Sequence, residues 1–135
     1  MTLVDSCGWL AYFKGGSQGA AFAPYITSGD HLVPAIVLYG VYRVLKRDAG
    51  GAQADAGAAL LRGHRLVDLD HGLALAAAEV GLEHRLATAD AIVYATARLF
   101  DATLVTGDDH FAGLPGVEYI PAPPAAASET LPQEQ

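Results

Sequence analysis

Cys7 is the chain's single cysteine, so no intramolecular disulfide can form, and nothing in the sequence resembles a Cys/His zinc cluster. A reducing, cytoplasmic setting is the natural expectation. Long apolar runs are also missing. The longest, Val33 to Val41, is far short of the roughly 20 residues a membrane-crossing helix needs, so neither a membrane anchor nor a secretory signal is expected. Basic residues are scarce: 8 Lys and Arg stand against 15 Asp and Glu, a formal charge of −7. That excludes a protein that grips nucleic acid through a broad basic surface, because such affinity comes from Lys and Arg displacing counterions. It leaves room for a nuclease, since cations held by carboxylates remove negative charge locally.

The 135 residues suit one domain, large enough to bury about two thirds of the surface its unfolded chain exposes. Thr2 to Asp5 reads as a short buried strand leading into an apolar helix, Cys7 to Phe13, that Gly15-Gly16 ends. A second helix follows over Gly19 to Thr27, bent at Pro24, and Ser28-Gly29-Asp30 makes a turn. His31 to Val33 is the next strand, with Pro34 at the first position of a helix over Ala35 to Asp48. Gly50-Gly51 separates that helix from another over Ala52 to Gly63. Arg65 to Leu69 is a strand, Asp70 caps a helix over His71 to Glu83, and Thr88 to Phe100 is the last long helix. Strands over Thr103 to Thr106 and Val117 to Ile120 close the pattern. Continuous Leu/Val/Ile strands alternating with helices imply an α/β fold with a central, mostly parallel sheet flanked by helices. From Pro121 the composition turns to Pro, Ala, Ser, Glu and Gln, so residues 1–120 are expected to form the domain and 121–135 a disordered tail.

Three aspartates carry the chemistry: Asp5 in Leu3-Val4-Asp5-Ser6, Asp90 in Thr88-Ala89-Asp90-Ala91, and Asp108 in Val105-Thr106-Gly107-Asp108. Each stands where a helix begins, and Asp is a favoured cap, so each has an ordinary explanation singly. Asp5 and Asp108, however, both follow strands of a parallel sheet, whose carboxyl edge is where ligands bind. Grouped carboxylates suit a hard divalent cation such as Mg²⁺. Ser6 and Thr106 add hydroxyls that orient a carboxylate or simply cap and turn the chain. Asp109 either assists Asp108 or faces solvent. The histidines show no zinc spacing and read as structural or surface groups, and Cys7 reads as core.

Taken in order, Leu3 to Leu10, Val33 to Arg43, Leu86 to Ala97 and Leu104 to Phe111 resemble the PIN domain ribonucleases, and more narrowly the VapC toxins of bacterial toxin-antitoxin systems. The resemblance runs from Thr2 to Ile120. It implies a PIN-like three-layer fold, a site for Mg²⁺ or Mn²⁺ at Asp5, Asp90 and Asp108, and endonucleolytic cleavage of RNA. It also implies a VapB-like antitoxin whose C-terminal segment covers the site, and assembly as a homodimer or toxin-antitoxin hetero-oligomer. The departure is Gly40, where relatives carry a glutamate. Glycine inside a helix is about 1 kcal/mol worse than alanine, so helix stability does not explain it, whereas a substitution that disarms the enzyme does. On the same helix, positions 36, 40, 43 and 47 share a face, which makes Arg43 and Arg47 candidates for RNA phosphate contacts, ahead of Lys14 and Arg85.

Two other enzyme readings fit less well. A haloacid dehalogenase-type phosphatase needs an aspartate where Cys7 stands. A receiver domain needs paired acids after its first strand and a lysine late in the chain. The alternative of a different class is a degenerate PIN domain that binds its antitoxin, or RNA, without cutting, and Gly40 favours it.

Overall fold

Short runs of two or three β-branched or leucine residues can pair only briefly, and the five strands are correspondingly three or four residues long. The computed structural model describes residues 1–122, so most of the expected tail over 121–135 lies outside the described residues. The elements are β1 (Thr2–Val4), α1 (Ser6–Lys14), α2 (Gly16–Ile26), β2 (Leu32–Pro34), α3 (Ala35–Ala49), α4 (Gly51–Arg62), β3 (Arg65–Val67), α5 (His71–His84), α6 (Thr88–Leu99), β4 (Thr103–Thr106), a 3-10 turn (Asp109–Phe111) and β5 (Val117–Tyr119). All pairings are parallel. One ladder runs β1-β4-β5 and a second joins β2 to β3. A single parallel bridge between Thr2 and His31 links the two, giving the spatial order β3-β2-β1-β4-β5.

That order fixes where a ligand can bind. From β1 the chain moves outward through β2 to β3, then returns to lay β4 on the other flank of β1. The connections therefore diverge at the carboxyl ends of β1 and β4, the position at which parallel sheets open a crevice. Asp5 immediately follows β1, and Asp108 follows β4 by two residues.

Leu3, Val4, Leu32, Val33, Leu104 and Val105 from the strands are buried with Trp9, Phe22, Val37, Val41, Leu61 and Phe111 in the main core. A smaller cluster, Leu73, Ala77, Ala91, Ile92 and Ala95, joins α5 to α6. Every residue from Ala91 to Ala97 is buried. A helix apolar on all sides is an interior element, and α6 holds whatever precedes Ala91 in a fixed place.

Element ends differ modestly from the sequence reading. Pro34 does not open α3: with φ −62° and ψ 146° it remains extended, pairs with Val67 and caps the helix that Ala35 begins. β3 stops at Val67 rather than Leu69, because it is an edge strand with Leu66 and Leu69 about half exposed. Helix α2 starts at Gly16, ahead of the expected Gly19. Gly15 and Gly16 both have φ of +84°, a left-handed backbone that reverses the chain between α1 and α2 within one residue.

The two helices then pack so closely that a Cβ on Gly19 would collide with the carbonyl oxygen of Ala11. Backbone cannot yield as a side-chain tip can, so Gly19→Ala is expected to destabilise the fold by about 1–3 kcal/mol. Urea unfolding measures this. A change within about 0.5 kcal/mol, the size of a neutral surface substitution, would show that α1 and α2 separate freely.

Candidate active site

Asp5, Asp90 and Asp108 line one cleft of about 230 Å³, together with Ser6, Cys7, Ile36, Val37, Tyr39, Gly40, Ala89 and Val93. Three carboxylates far apart in sequence thus converge, each delivered by a different element.

Asp5 is the most enclosed, only 8% exposed. Its Oδ1 accepts the Ser6 backbone N–H at 2.8 Å, and its Oδ2 accepts the Thr106 hydroxyl at 3.0 Å. Thr106, fully buried at the end of β4, also accepts the Asp108 backbone N–H on the same oxygen at 3.0 Å. One hydroxyl therefore ties the acid after β1 to the acid after β4. Desolvation by burial pushes the Asp5 carboxyl above its ordinary value, against the lowering effect of these two hydrogen bonds; Asp90 and Asp108 add to the rise.

Asp90 is not a helix cap. Ala87 holds that position and makes no side-chain cap bond, while Asp90 sits in the first turn of α6 and faces the cleft. Its carboxyl is likewise raised, first by desolvation and then by the Asp108 charge. Asp108 does cap the following turn, its Oδ1 accepting the His110 backbone N–H at 2.9 Å.

Among the described residues, the group whose ligand atoms come close enough to share an ion is Asp90, Asp108 and His110, all within 4.8 Å of one another. His110 Nδ1 lies 3.2 Å from Asp108 Oδ1 and 3.3 Å from Asp90 Oδ2. The two carboxylates hold this imidazole above its ordinary value, Asp108 foremost. Asp5 belongs to the same cleft but lies outside that donor group, its oxygens turned to Ser6 and Thr106. Sequence reasoning missed His110, whose only sequence signal is its place two residues after a strand-end aspartate.

Cys7 corrects a second expectation: it is exposed rather than core. The strand-to-helix turn at Asp5 carries it to the cleft, where its sulfur lies 3.4 Å from the Gly107 N–H and 3.7 Å from the Thr106 hydroxyl. Desolvation of the sulfur, with the Asp5 charge, pushes the thiol up to about 11, so it stays protonated and is a weak nucleophile. Asp109 is exposed. Arg43 is exposed on α3 and outside the cleft lining, and Arg47 is held by Asp48 through two bonds of 2.7 and 3.0 Å.

Gly40 lines the cleft beside Ser6. A Cβ there would meet Ser6 Cβ at 3.5 Å and Oγ at 3.7 Å, ordinary contact distances. No packing requirement imposes glycine.

Over residues 2–117 the sequence matches the PIN domain family. The chain is a PIN domain protein. Its fold is similar to that of a toxin-antitoxin complex from Klebsiella pneumoniae, with TM-score 0.75 and 24% identity over 89% of this chain and 100% of the other. It is similar also to VapC20 of Mycobacterium tuberculosis, a toxin that cleaves the sarcin-ricin loop, with TM-score 0.72 and 20% identity over 90% of this chain and 100% of that one. FitAcB from Neisseria gonorrhoeae follows at TM-score 0.67 and 20% identity, covering 90% and 98%. No curated protein sequence matches the chain. This PIN domain thus has a VapC-like fold, and among its described residues no helix is long and apolar enough to cross a membrane.

Because Asp5 has a raised folded-state pKa, its favourable contribution is complete below the unfolded value and is lost as pH rises through the folded one. Asp5→Asn is therefore expected to raise the Tm of the metal-free protein at pH 7, with the gain shrinking toward pH 4. Thermal melts in EDTA at both pH values test this. A lower Tm for the asparagine variant at pH 7 would mean that the Ser6 and Thr106 bonds outweigh desolvation.

Proposed function

We propose that this PIN domain protein is a metal-dependent endoribonuclease of the VapC toxin type, restrained by a VapB-like antitoxin, and that Gly40 weakens its site for Mg²⁺. The observation that carries this reading is the convergence of Asp5, Asp90 and Asp108 in one cleft at the divergence of β1 and β4.

The donors fit a divalent cation. Asp90 and Asp108 offer carboxylate oxygens from separate elements, and their spacing with His110 is within the span of ligands on one ion. Mg²⁺ or Mn²⁺ bound there supplies Lewis acidity to a phosphodiester and acidifies an attacking water. Asp90 and Asp108 hold the ion. Asp5, locked by the Thr106 hydroxyl and the Ser6 N–H, presents a fixed negative charge at the cleft floor that favours cations and orients solvent. Arg43 remains the candidate for RNA phosphate contacts, ahead of Lys14 and Arg85, while Arg47 is engaged by Asp48.

A partner surface accompanies the site. An apolar groove of about 760 Å³ between α1, α2, α3 and α4, lined by Leu10, Phe13, Val44 and Leu45 with Lys14 and Asp48 at its rim, fits an apolar segment of an antitoxin. Toxin-antitoxin complexes among the solved relatives support this partner, as does DNA-bound VapBC2 from Rickettsia felis. We assign the protein to a toxin homodimer or a toxin-antitoxin hetero-oligomer on the same grounds.

The second reading, a PIN module that binds without cutting, rests on Gly40. The space beside Ser6 is open for a side chain, so Gly40→Glu is expected to fold normally and to raise cleavage of a mixed RNA pool in Mg²⁺ by at least about tenfold, the typical cost of a lost group around a metal site. Gly40→Glu with Asp108→Asn is expected to be inactive. Folded protein with no cleavage in parent or Gly40→Glu, with Mg²⁺ or Mn²⁺, would establish the binding module instead.

A further inference from the structure

We infer that His110 is a metal ligand of this site, giving it a mixed nitrogen and oxygen donor set that selects Mn²⁺ over Mg²⁺. The inference rests on the nuclease-site reading above and deepens it by assigning the ion.

The geometry leads there directly. An ion with bonds of about 2.0–2.1 Å in octahedral arrangement sets neighbouring ligand atoms roughly 3 Å apart. His110 Nδ1 stands 3.2 Å from an Asp108 oxygen and 3.3 Å from an Asp90 oxygen, close to that spacing for both. An ion there would need this nitrogen to offer its lone pair.

The backbone that bears the imidazole is also held in place. Its backbone N–H is bonded to Asp108 Oδ1, which fixes the turn. The next residue, Phe111, is fully buried and stacks on Tyr94 of α6, with ring centroids 6.4 Å apart and an interplanar angle of 25°. Tyr94 lies one helical turn beyond Asp90, so one aromatic contact sets the turn bearing His110 against the helix bearing Asp90.

Mg²⁺ takes oxygen donors and keeps its waters, whereas a nitrogen donor raises affinity for first-row transition ions, of which Mn²⁺ is the one that also suits carboxylate and water ligands. Gly40 supplies no oxygen, so two carboxylates and one imidazole are the donors that cluster. The alternative role for His110 is as a cationic counter-charge to the acids, and the two roles predict opposite results. Removing a counter-charge strengthens binding of both ions. Removing a ligand weakens Mn²⁺.

The test uses metal-stripped full chain, titrated calorimetrically with Mn²⁺ and with Mg²⁺, and pulsed EPR of the Mn²⁺-loaded protein. The parent is expected to bind Mn²⁺ at least about tenfold more tightly than Mg²⁺, with ¹⁴N coupling to the Mn²⁺ spin. His110→Ala should lose the coupling and weaken Mn²⁺ by about tenfold or more, while Mg²⁺ binding holds or strengthens. His110→Asp should narrow the preference by restoring an oxygen donor. At 67% exposure the His110 side chain can be replaced without disturbing the core, and thermal melts check that both variants fold. Mn²⁺ binding that depends on Asp108, yet shows no nitrogen coupling and is unchanged or stronger in His110→Ala, overturns the inference and leaves the nuclease reading standing. Binding of neither ion by the folded parent overturns both.

Discussion

The parallel pairing of β1 with β4 is the constraint on which the site depends. These strands are distant in sequence and meet as immediate neighbours, with Thr2, Leu3 and Val4 opposite Thr103, Leu104 and Val105. The pairing extends one step further, because the Asp5 N–H donates to the Val105 carbonyl at 3.0 Å. That bond fixes the backbone of Asp5 at the strand end, and the Thr106 hydroxyl fixes its side chain. Strand register and carboxylate position are thus one specification. A slip of one residue would exchange the two buried faces, mismatching the packing of Leu3 and Leu104, and carry Thr106 away from Asp5.

Such a site is unfavourable in isolation. Asp5 and Asp90 are partly or wholly withdrawn from water, and the Asp108 charge makes both harder to ionise, as the Asp90 charge does for Asp5. The surrounding structure tolerates this because the elements bearing the acids are anchored by unusually complete burial: Leu3, Val4, Leu104 and Val105 in the strands, and Ala91 to Ala97 in α6. Core packing here keeps like charges together that would otherwise separate. A cation bound among these carboxylates would relieve that repulsion.

Much of this was legible in the sequence because it was written in strong local signals. Continuous Leu/Val strands, helix-length apolar patterns and glycine stops located every element, and Asp5 and Asp108 stood out as strand-end acids. The losses have physical causes. Asp90 taken alone reads as a helix cap; it entered the site through the family resemblance, and the packing of α6 is what turns it to the cleft. Cys7 reads as core because its neighbours are apolar, yet the turn at Asp5 carries it to the surface. His110 lacked any partner at a recognisable spacing, since its partner Asp90 lies on another element and the distance between them is set by Phe111 against Tyr94. Local pattern locates elements well; the side chains that meet across them are decided by the sheet order.

Gly40 lines the same cleft. A glycine near the middle of α3 weakens the helix and relieves no crowding, since Ser6 is at ordinary contact distance from where a Cβ would stand. Neither helix stability nor packing selects it. The remaining account is chemical: a carboxylate at position 40 would add a fourth negative charge to a cleft whose Asp5 and Asp90 are already hard to ionise, in a chain of net charge −7. Without it the cleft carries less negative charge for a phosphate to meet and one oxygen fewer for a cation. On the proposed assignment His110 would supply a donor that adds no charge when neutral. An imidazole in place of an acid would then change which cation the site favours and leave the fold that builds it untouched.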